Sequence, residues 1–315
     1  MIDAYVPAAA REGFRAAAEA AAPGARVLLP ASREEAVAQA AEIDVAAGWS
    51  LPPELLVRGA RLRWVHAFNA GVDGFVGLPG IRDDRIRLTR TVGAHTALPD
   101  HVMALILAFA RRLHLDIRNQ IDRVWDRPAG VGVDVEGSVL GILGLGQIGK
   151  PLAQRASAFG MRVVGTKRTA EPVPHVDRVY APEETDALLR EADYVVALLP
   201  LTPATKGRMG EREFRLMKPS AVFINVSRGP IVQEPALVRA LREGWIAGAG
   251  LDVFDAEPLP GDHPLYDFPQ VIITPHVSGI TPKFFERIAA IFAANIRRYV
   301  AGDPLANVVD VARGY

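Results

Sequence analysis

A glycine-rich run and three polar residues downstream of it carry the chemistry legible in this chain. Gly144-Leu145-Gly146-Gln147-Ile148-Gly149 has the spacing with which a backbone turns tightly out of a strand, approaches a phosphate and enters a helix packed against that strand. Arg228 follows Asn225-Val226-Ser227, and a planar guanidinium at a strand end can grip a carboxylate through two parallel hydrogen bonds. Glu257 and His276 each lie just beyond an apolar run. A carboxylate beside an imidazole orients the ring and favours its charged form, ready to donate a proton. Pyrophosphate cradle, carboxylate fork and proton donor together describe hydride transfer between a dinucleotide and a small acid. Singly, each has a plainer reading: a glycine turn without ligand or a methyltransferase loop, a surface arginine, an exposed carboxylate, a structural histidine.

Context strengthens the first of these motifs. The apolar run 139–143 reads as a strand leading straight into Gly144, and 147–159 as the helix that Gly149 opens; this strand-turn-helix setting is what a dinucleotide needs. The acidic residue that would accept hydrogen bonds from a ribose 2′-hydroxyl belongs roughly 20 residues on, at the end of the second strand. The strand 162–166 ends instead in Lys167-Arg168. Two cations there attract a 2′-phosphate, so NADP is the expected cofactor, with NAD the second choice and ordinary solvated surface charges the alternative reading.

The bulk properties limit the classes that remain. At 315 residues the chain has length for two domains. Lys plus Arg and Asp plus Glu each number 36, leaving no net field to draw it to nucleic acid or an anionic membrane. There is no cysteine, which rules out disulfides and thiolate chemistry and fits a reducing cytosol. The seven histidines show no ligand spacing, so no metal is expected. Residues 1–20 lack the apolar core of a signal peptide, and the longest apolar stretch, 102–110, is far short of a membrane span. A cytoplasmic, soluble protein is the expectation.

The elements that must position the chemistry alternate along the chain. Short apolar runs at 27–29, 45–47, 64–68 and 86–89 have the rhythm of a small parallel α/β domain. The stretch 98–114 opens on Pro99 and Asp100 and predicts a helix apolar on nearly all sides. A loop with Trp125, Pro128 and Gly130 follows. After the glycine turn, strands are predicted at 162–166, 194–199, 222–226, 247–253 and 271–274, with crossover helices at 184–191 and 234–243 and a last long helix at 282–300. The fold class is therefore α/β, with a doubly wound parallel sheet of the Rossmann type.

Read in order, Gly-Leu-Gly-Gln-Ile-Gly at 144, Leu-Pro-Leu-Thr-Pro-Ala-Thr at 199, Asn-Val-Ser-Arg-Gly at 225, Gly-Leu-Asp-Val-Phe-Asp-Ala-Glu-Pro-Leu at 250 and Thr-Pro-His at 274 resemble the D-isomer-specific 2-hydroxyacid dehydrogenases, of the glyoxylate/hydroxypyruvate reductase kind. The resemblance implies that Arg228 binds the substrate carboxylate and polarises the C2 carbonyl, that His276 moves the proton on O2, and that Glu257 pairs with His276. It implies a substrate loop at 69–73 whose Ala70, Gly71 and Val72 assist Arg228. It further implies cofactor contacts from Gly144, Gly146, Gln147, Ile148 and Gly149 at the pyrophosphate, Pro200 and Thr205 along the adenosine, Val226 and Ser227, and Asp252 and Gly279 near the nicotinamide. A smaller, flavodoxin-like substrate domain of residues 1–97 and 284–315, interrupted by a nucleotide domain of 98–283, is implied too, as is a homodimer.

The resulting expectation is NADP-preferring reduction of a 2-oxo acid to the D-2-hydroxy acid. Formate oxidation is disfavoured because formate dehydrogenases of this fold carry Gln where this chain has Glu257. Phosphite oxidation, which uses a similar Arg, Glu and His set, is one alternative. A dinucleotide-sensing protein like the C-terminal-binding corepressors is another; the short N-terminus and the end at Tyr315 leave no disordered interaction tail for it. His66, Phe68 and Trp125 are candidates for lining the substrate pocket, with core packing the competing role.

Overall fold

The computed structural model describes residues 1–2, 8–127 and 132–315; Pro128 and Gly130 of the expected loop lie outside them. The chain divides into two compact units, Met1–His95 with Thr281–Tyr315, and Thr96–Ile280.

In the first unit β1 (Val45–Gly48), β2 (Trp64–Ala67) and β3 (Arg87–Arg90) form a parallel sheet in that order. Alternation along β2 sends Trp64, His66 and, one step beyond, Phe68 to one face and Val65 to the other. The first face is covered by the helices Ala8–Ala21 and Pro282–Ala301, whose Phe14, Phe284, Ile288 and Phe292 pack with Trp64 and Phe68. Val65 joins Leu55, Leu56, Phe75 and Leu88 in a second core. The run 27–29, expected as a strand, is not assigned one among the described residues. Among the described residues Ile2 N donates to Leu28 O (3.0 Å), while Ile2 bridges Ala47.

The second unit carries β4 (Val139–Leu143), β5 (Arg162–Thr166), β6 (Arg178–Tyr180), β7 (Tyr194–Ala197), β8 (Val222–Asn225), β9 (Gly248–Leu251) and β10 (Val271–Ile273), all parallel in the order β10-β9-β8-β7-β4-β5-β6. The order reverses at β4, flanked by β5 and β7, and ligands of such sheets bind beyond the carboxyl ends at this point. β6 is the strand that pattern reading missed, being three residues long with an exposed first position.

The helix predicted over 98–114 stops at Ala110. Arg112 adopts φ +55, breaking the ladder, and a second helix, Leu113–Ile121, follows. Burial of the first helix is also less complete than its sequence implies: Val102, Leu105 and Ile106 are core while Ala104 is exposed. It lies on β9 because two glycines leave room. A Cβ on Gly248 would sit 3.1 Å from the Phe109 ring, and one on Gly250 3.2 Å from Leu105. No helix among the described residues is long and apolar enough to cross a membrane.

Candidate active site

The glycine turn is built by close approach. Gly144 has φ +109, which side chains rarely adopt, and a Cβ on it would lie 2.8 Å from the carbonyl oxygen of Leu198 beyond β7. A Cβ on Gly149 would lie 2.4 Å from Gly144 O, so helix and strand can meet only at glycine. Gly146 is different: a Cβ there would meet nothing within 4 Å. Backbone at Gly146 thus faces open space at the start of the helix Gly149–Ala158, whose first turn holds no acidic residue. Unsatisfied N–H groups of a helix start and an open approach are what a pyrophosphate requires, so the turn fits a dinucleotide. Thr166, the last residue of β5, steadies the bend by accepting from Gly144 N (3.1 Å).

Past Thr166, Lys167 is ion-paired with Glu171. That contact holds the Glu171 carboxyl below its ordinary range. Arg168 is exposed beside them. In the neighbouring loop Thr205 turns its hydroxyl inward, 2.5 Å from Pro200 O, and accepts from Thr202 N (2.9 Å). Its side chain braces the 200–205 turn.

Two buried polar residues organise the strand ends that carry Arg228, Glu257 and His276. Asn225, 1% exposed, closes β8. Its Oδ1 accepts from Ser227 N (3.1 Å) and Ser227 Oγ (2.8 Å), and its Nδ2 donates to Arg228 O (3.0 Å). The loop 226–228 is therefore wound around one amide. Gly229 then packs so tightly that a Cβ would fall 2.0 Å from the carbonyl carbon of Phe254. Sequence reading passed over both residues, although an Asn ending an apolar strand and a Gly after Arg were visible signals.

Asp252, one residue past β9 and 0% exposed, plays the same part for the next loop. Its Oδ1 accepts from Thr274 Oγ1 (2.5 Å) and Val277 N (3.0 Å), its Oδ2 from Ser278 N (3.0 Å), and its carbonyl from His276 N (2.9 Å). The side chain is thus spent on the loop from Thr274 to Ser278, an anchoring task that the spacing of the motif did not reveal. Gly279, next along, is buried, as is Val226. His276 has φ +54, a left-handed conformation uncommon for any residue with a Cβ. Its ring extends outward, 50% exposed, with Nδ1 2.7 Å from Glu257 Oε2. The other carboxylate oxygen of Glu257 accepts from Phe254 N (3.0 Å), which fixes the carboxylate toward the imidazole. Below this loop Glu234 accepts from His263 (3.0 Å), and burial together with the Glu234 charge pushes the Asp255 carboxyl up.

Glu257 and His276 are therefore joined directly. Arg228 donates from Nη1 to Ser227 O (2.8 Å) and sits one residue before the contact of Gly229 with Phe254. Ala70, Gly71 and Val72 belong to the first unit. There Arg90 donates to Ala70 O (2.9 Å) and Thr91 N to Asn69 O (3.2 Å), while the Val72 side chain is buried. Of the pocket-lining candidates, two take the core-packing role. His66 and Phe68 are both 0% exposed in the core of the first unit, their apolar surroundings outweighing any reach toward ligand, and Trp125 is 94% exposed. Among the described residues no group of three or more His, Asp or Glu is placed to hold a metal.

Comparison with known proteins agrees with this anatomy. Residues 103–278 match the family described as D-isomer specific 2-hydroxyacid dehydrogenase, NAD binding domain. A glyoxylate/hydroxypyruvate reductase B of Enterobacter sp. is 38% identical over 264 residues, covering 81% of this chain and 80% of its own. A glyoxylate reductase of Thermococcus litoralis is 35% identical over 265 residues, covering 82% and 80%. Among solved structures, a D-isomer specific 2-hydroxyacid dehydrogenase from Xanthobacter autotrophicus Py2, in complex with NADPH and MES, superposes with a TM-score of 0.84 at 32% identity, covering 100% of this chain and 98% of that one. An NADPH-dependent glyoxylate/hydroxypyruvate reductase from Sinorhizobium meliloti, in complex with NADP and sulfate, gives 0.84 at 30% identity, covering 97% and 96%. The chain belongs to the D-isomer specific 2-hydroxyacid dehydrogenase family and is a nicotinamide-dinucleotide-dependent oxidoreductase.

Proposed function

We propose that this protein is an NADP-preferring reductase of small 2-oxo acids, glyoxylate and hydroxypyruvate being the substrates that its relatives' names indicate. The observation that carries the reading is the Glu257–His276 hydrogen bond of 2.7 Å at an exposed strand-end loop. With Nδ1 engaged by the carboxylate, Nε2 is the ring nitrogen presented to substrate. His276 then donates its proton to O2 as the carbonyl is reduced, and in the reverse direction accepts it. Arg228 holds the substrate carboxylate and draws charge from the carbonyl oxygen. Gly144, Gly146, Gln147, Ile148 and Gly149 would hold the cofactor pyrophosphate, and Lys167 and Arg168 its 2′-phosphate. Pro200 and Thr205 would flank the adenosine, and Val226, Ser227, Asp252 and Gly279 the nicotinamide end. The bound cofactor supplies the hydride.

A panel of 2-oxo acids assayed with NADPH and with NADH at the nicotinamide absorbance tests this. Turnover of glyoxylate or hydroxypyruvate with a preference for NADPH is expected; tight NADPH binding with no acid reduced would favour the sensor reading. The same proposal includes a homodimer through the nucleotide domain. Leu113, Ile117 and Ile121, four residues apart on one helix, are 48%, 56% and 75% exposed, and Val124 and Trp125 extend the stripe. A continuous apolar face of this kind is characteristic of an interface. Light scattering should report a dimer that Ile121→Glu weakens.

A further inference from the structure

The loop that holds His276 has a support from a distant element that no motif includes. His101, on the helix Leu98–Ala110, places Nε2 3.2 Å from Thr274 Oγ1. The same hydroxyl is 2.5 Å from Asp252 Oδ1. A carboxylate only accepts, so the Thr274 proton points to Asp252, and the hydroxyl oxygen must in turn accept from His101 Nε2–H. The ring is thereby fixed as a donor at Nε2. One oxygen of Asp252 gathers Thr274 and Val277, the residues on either side of Pro275-His276, while its carbonyl takes His276 N. These bonds close a small loop around a histidine held at φ +54, a conformation that persists only where its surroundings over-determine it. The neighbours of His101 along its helix, Val102, Leu105 and Ile106, are locked in the core, so the donor stands on a rigid base.

We propose that His101 is a positioning residue for His276, acting through Thr274 and Asp252; this rests on the proton-donor reading of His276 given above. His101 itself exchanges no proton with substrate. Removing its N–H leaves the Thr274 hydroxyl held by Asp252 alone, loosens the loop and misaligns the imidazole against Glu257.

The test compares His101→Leu, His101→Gln, Thr274→Val, Thr274→Ser and the His101→Leu/Thr274→Val pair. Kinetics with glyoxylate and NADPH are combined with the ring titration of His276, followed by NMR on histidine-labelled, cofactor-free enzyme. His101→Leu should lower kcat about tenfold, leave the NADPH Kd unchanged and shift the His276 titration. Thr274→Val should do the same. The double variant should be no worse than either single one, because both break the same chain. His101→Gln, which keeps an N–H donor, and Thr274→Ser, which keeps the hydroxyl, should recover most of the loss. An unshifted His276 titration in His101→Leu, or additive losses in the double variant, would overturn the proposal. Should the wild type reduce no 2-oxo acid, the proton-donor reading fails, and the His276 titration still decides the coupling to His101. If His101→Leu does not fold, the same titration in Thr274→Val and Thr274→Ser decides it.

Discussion

Two histidines, one beyond a parallel strand and one within another, meet opposite fates. His276 stands in a loop beyond β10, half exposed, strained at φ +54 and paired with a carboxylate. His66 lies within β2, 0% exposed and bonded to hydroxyls. Its Nδ1 is 2.7 Å from Thr89 Oγ1, which also accepts from Trp64 Nε1 (2.8 Å), and its Nε2 is 3.3 Å from Thr91 Oγ1, which donates to Ala67 O (3.2 Å). Every polar atom in that chain is satisfied if Thr89 donates to Nδ1 and Nε2–H donates to Thr91, which makes His66 the neutral tautomer. Burial pushes its pKa down to about 3. One imidazole is set up for proton exchange and the other is kept from it, the difference lying in solvent access and in whether the partner is a carboxylate or a hydroxyl.

The comparison breaks most visibly at His276. Replacing it by Ala should lower kcat by on the order of 10² to 10⁴ with little change in melting temperature, as steady-state assays and thermal melts would report together. His66 should show the reverse pattern. Its folded pKa lies below the unfolded value near 6.5, so the stability that it contributes is complete above about pH 6.5 and is lost as pH falls toward 3, a difference on the order of 4 kcal/mol at the acid end. Denaturant titrations at pH 7 and pH 4 should therefore differ more for the wild type than for His66→Gln. Gly229→Ala forces the loop of Arg228 away from Phe254 and should cost on the order of tenfold in kcat/KM, read from initial rates at low substrate. The smallest effect belongs to the cofactor edge: Lys167→Ala should reduce the NADPH-over-NADH preference by about tenfold or less, since one exposed charge contact is removed, and the ratio of the two Kd values measures it.

Legibility differed sharply between elements. The strands around the glycine turn could be read because apolar runs, glycines and spacing are local properties of the chain. β6 could not, since three residues with one exposed carry no pattern. The break after Ala110 was hidden as well: Arg111 and Arg112 are ordinary helix formers, and the stop is marked by the left-handed backbone of Arg112. Arg228, Glu257 and His276 were visible as phrases. Asn225 offered a local signal, its bonds running to Ser227 and Arg228; Thr274 and His101 did not, because their significance is a hydrogen bond to each other across 173 residues of chain.

By itself, then, the order of residues determined the α/β class, the dinucleotide turn and the identity of the groups offered for chemistry, since propensity, period and side-chain type are encoded locally. Folding decided which histidine would be exposed and which sealed among threonines, and that Asp252 would spend its carboxylate on the loop bearing His276. Burial and hydrogen-bond partnership arise from residues brought together across the sheet, and no reading along a single strand contains them.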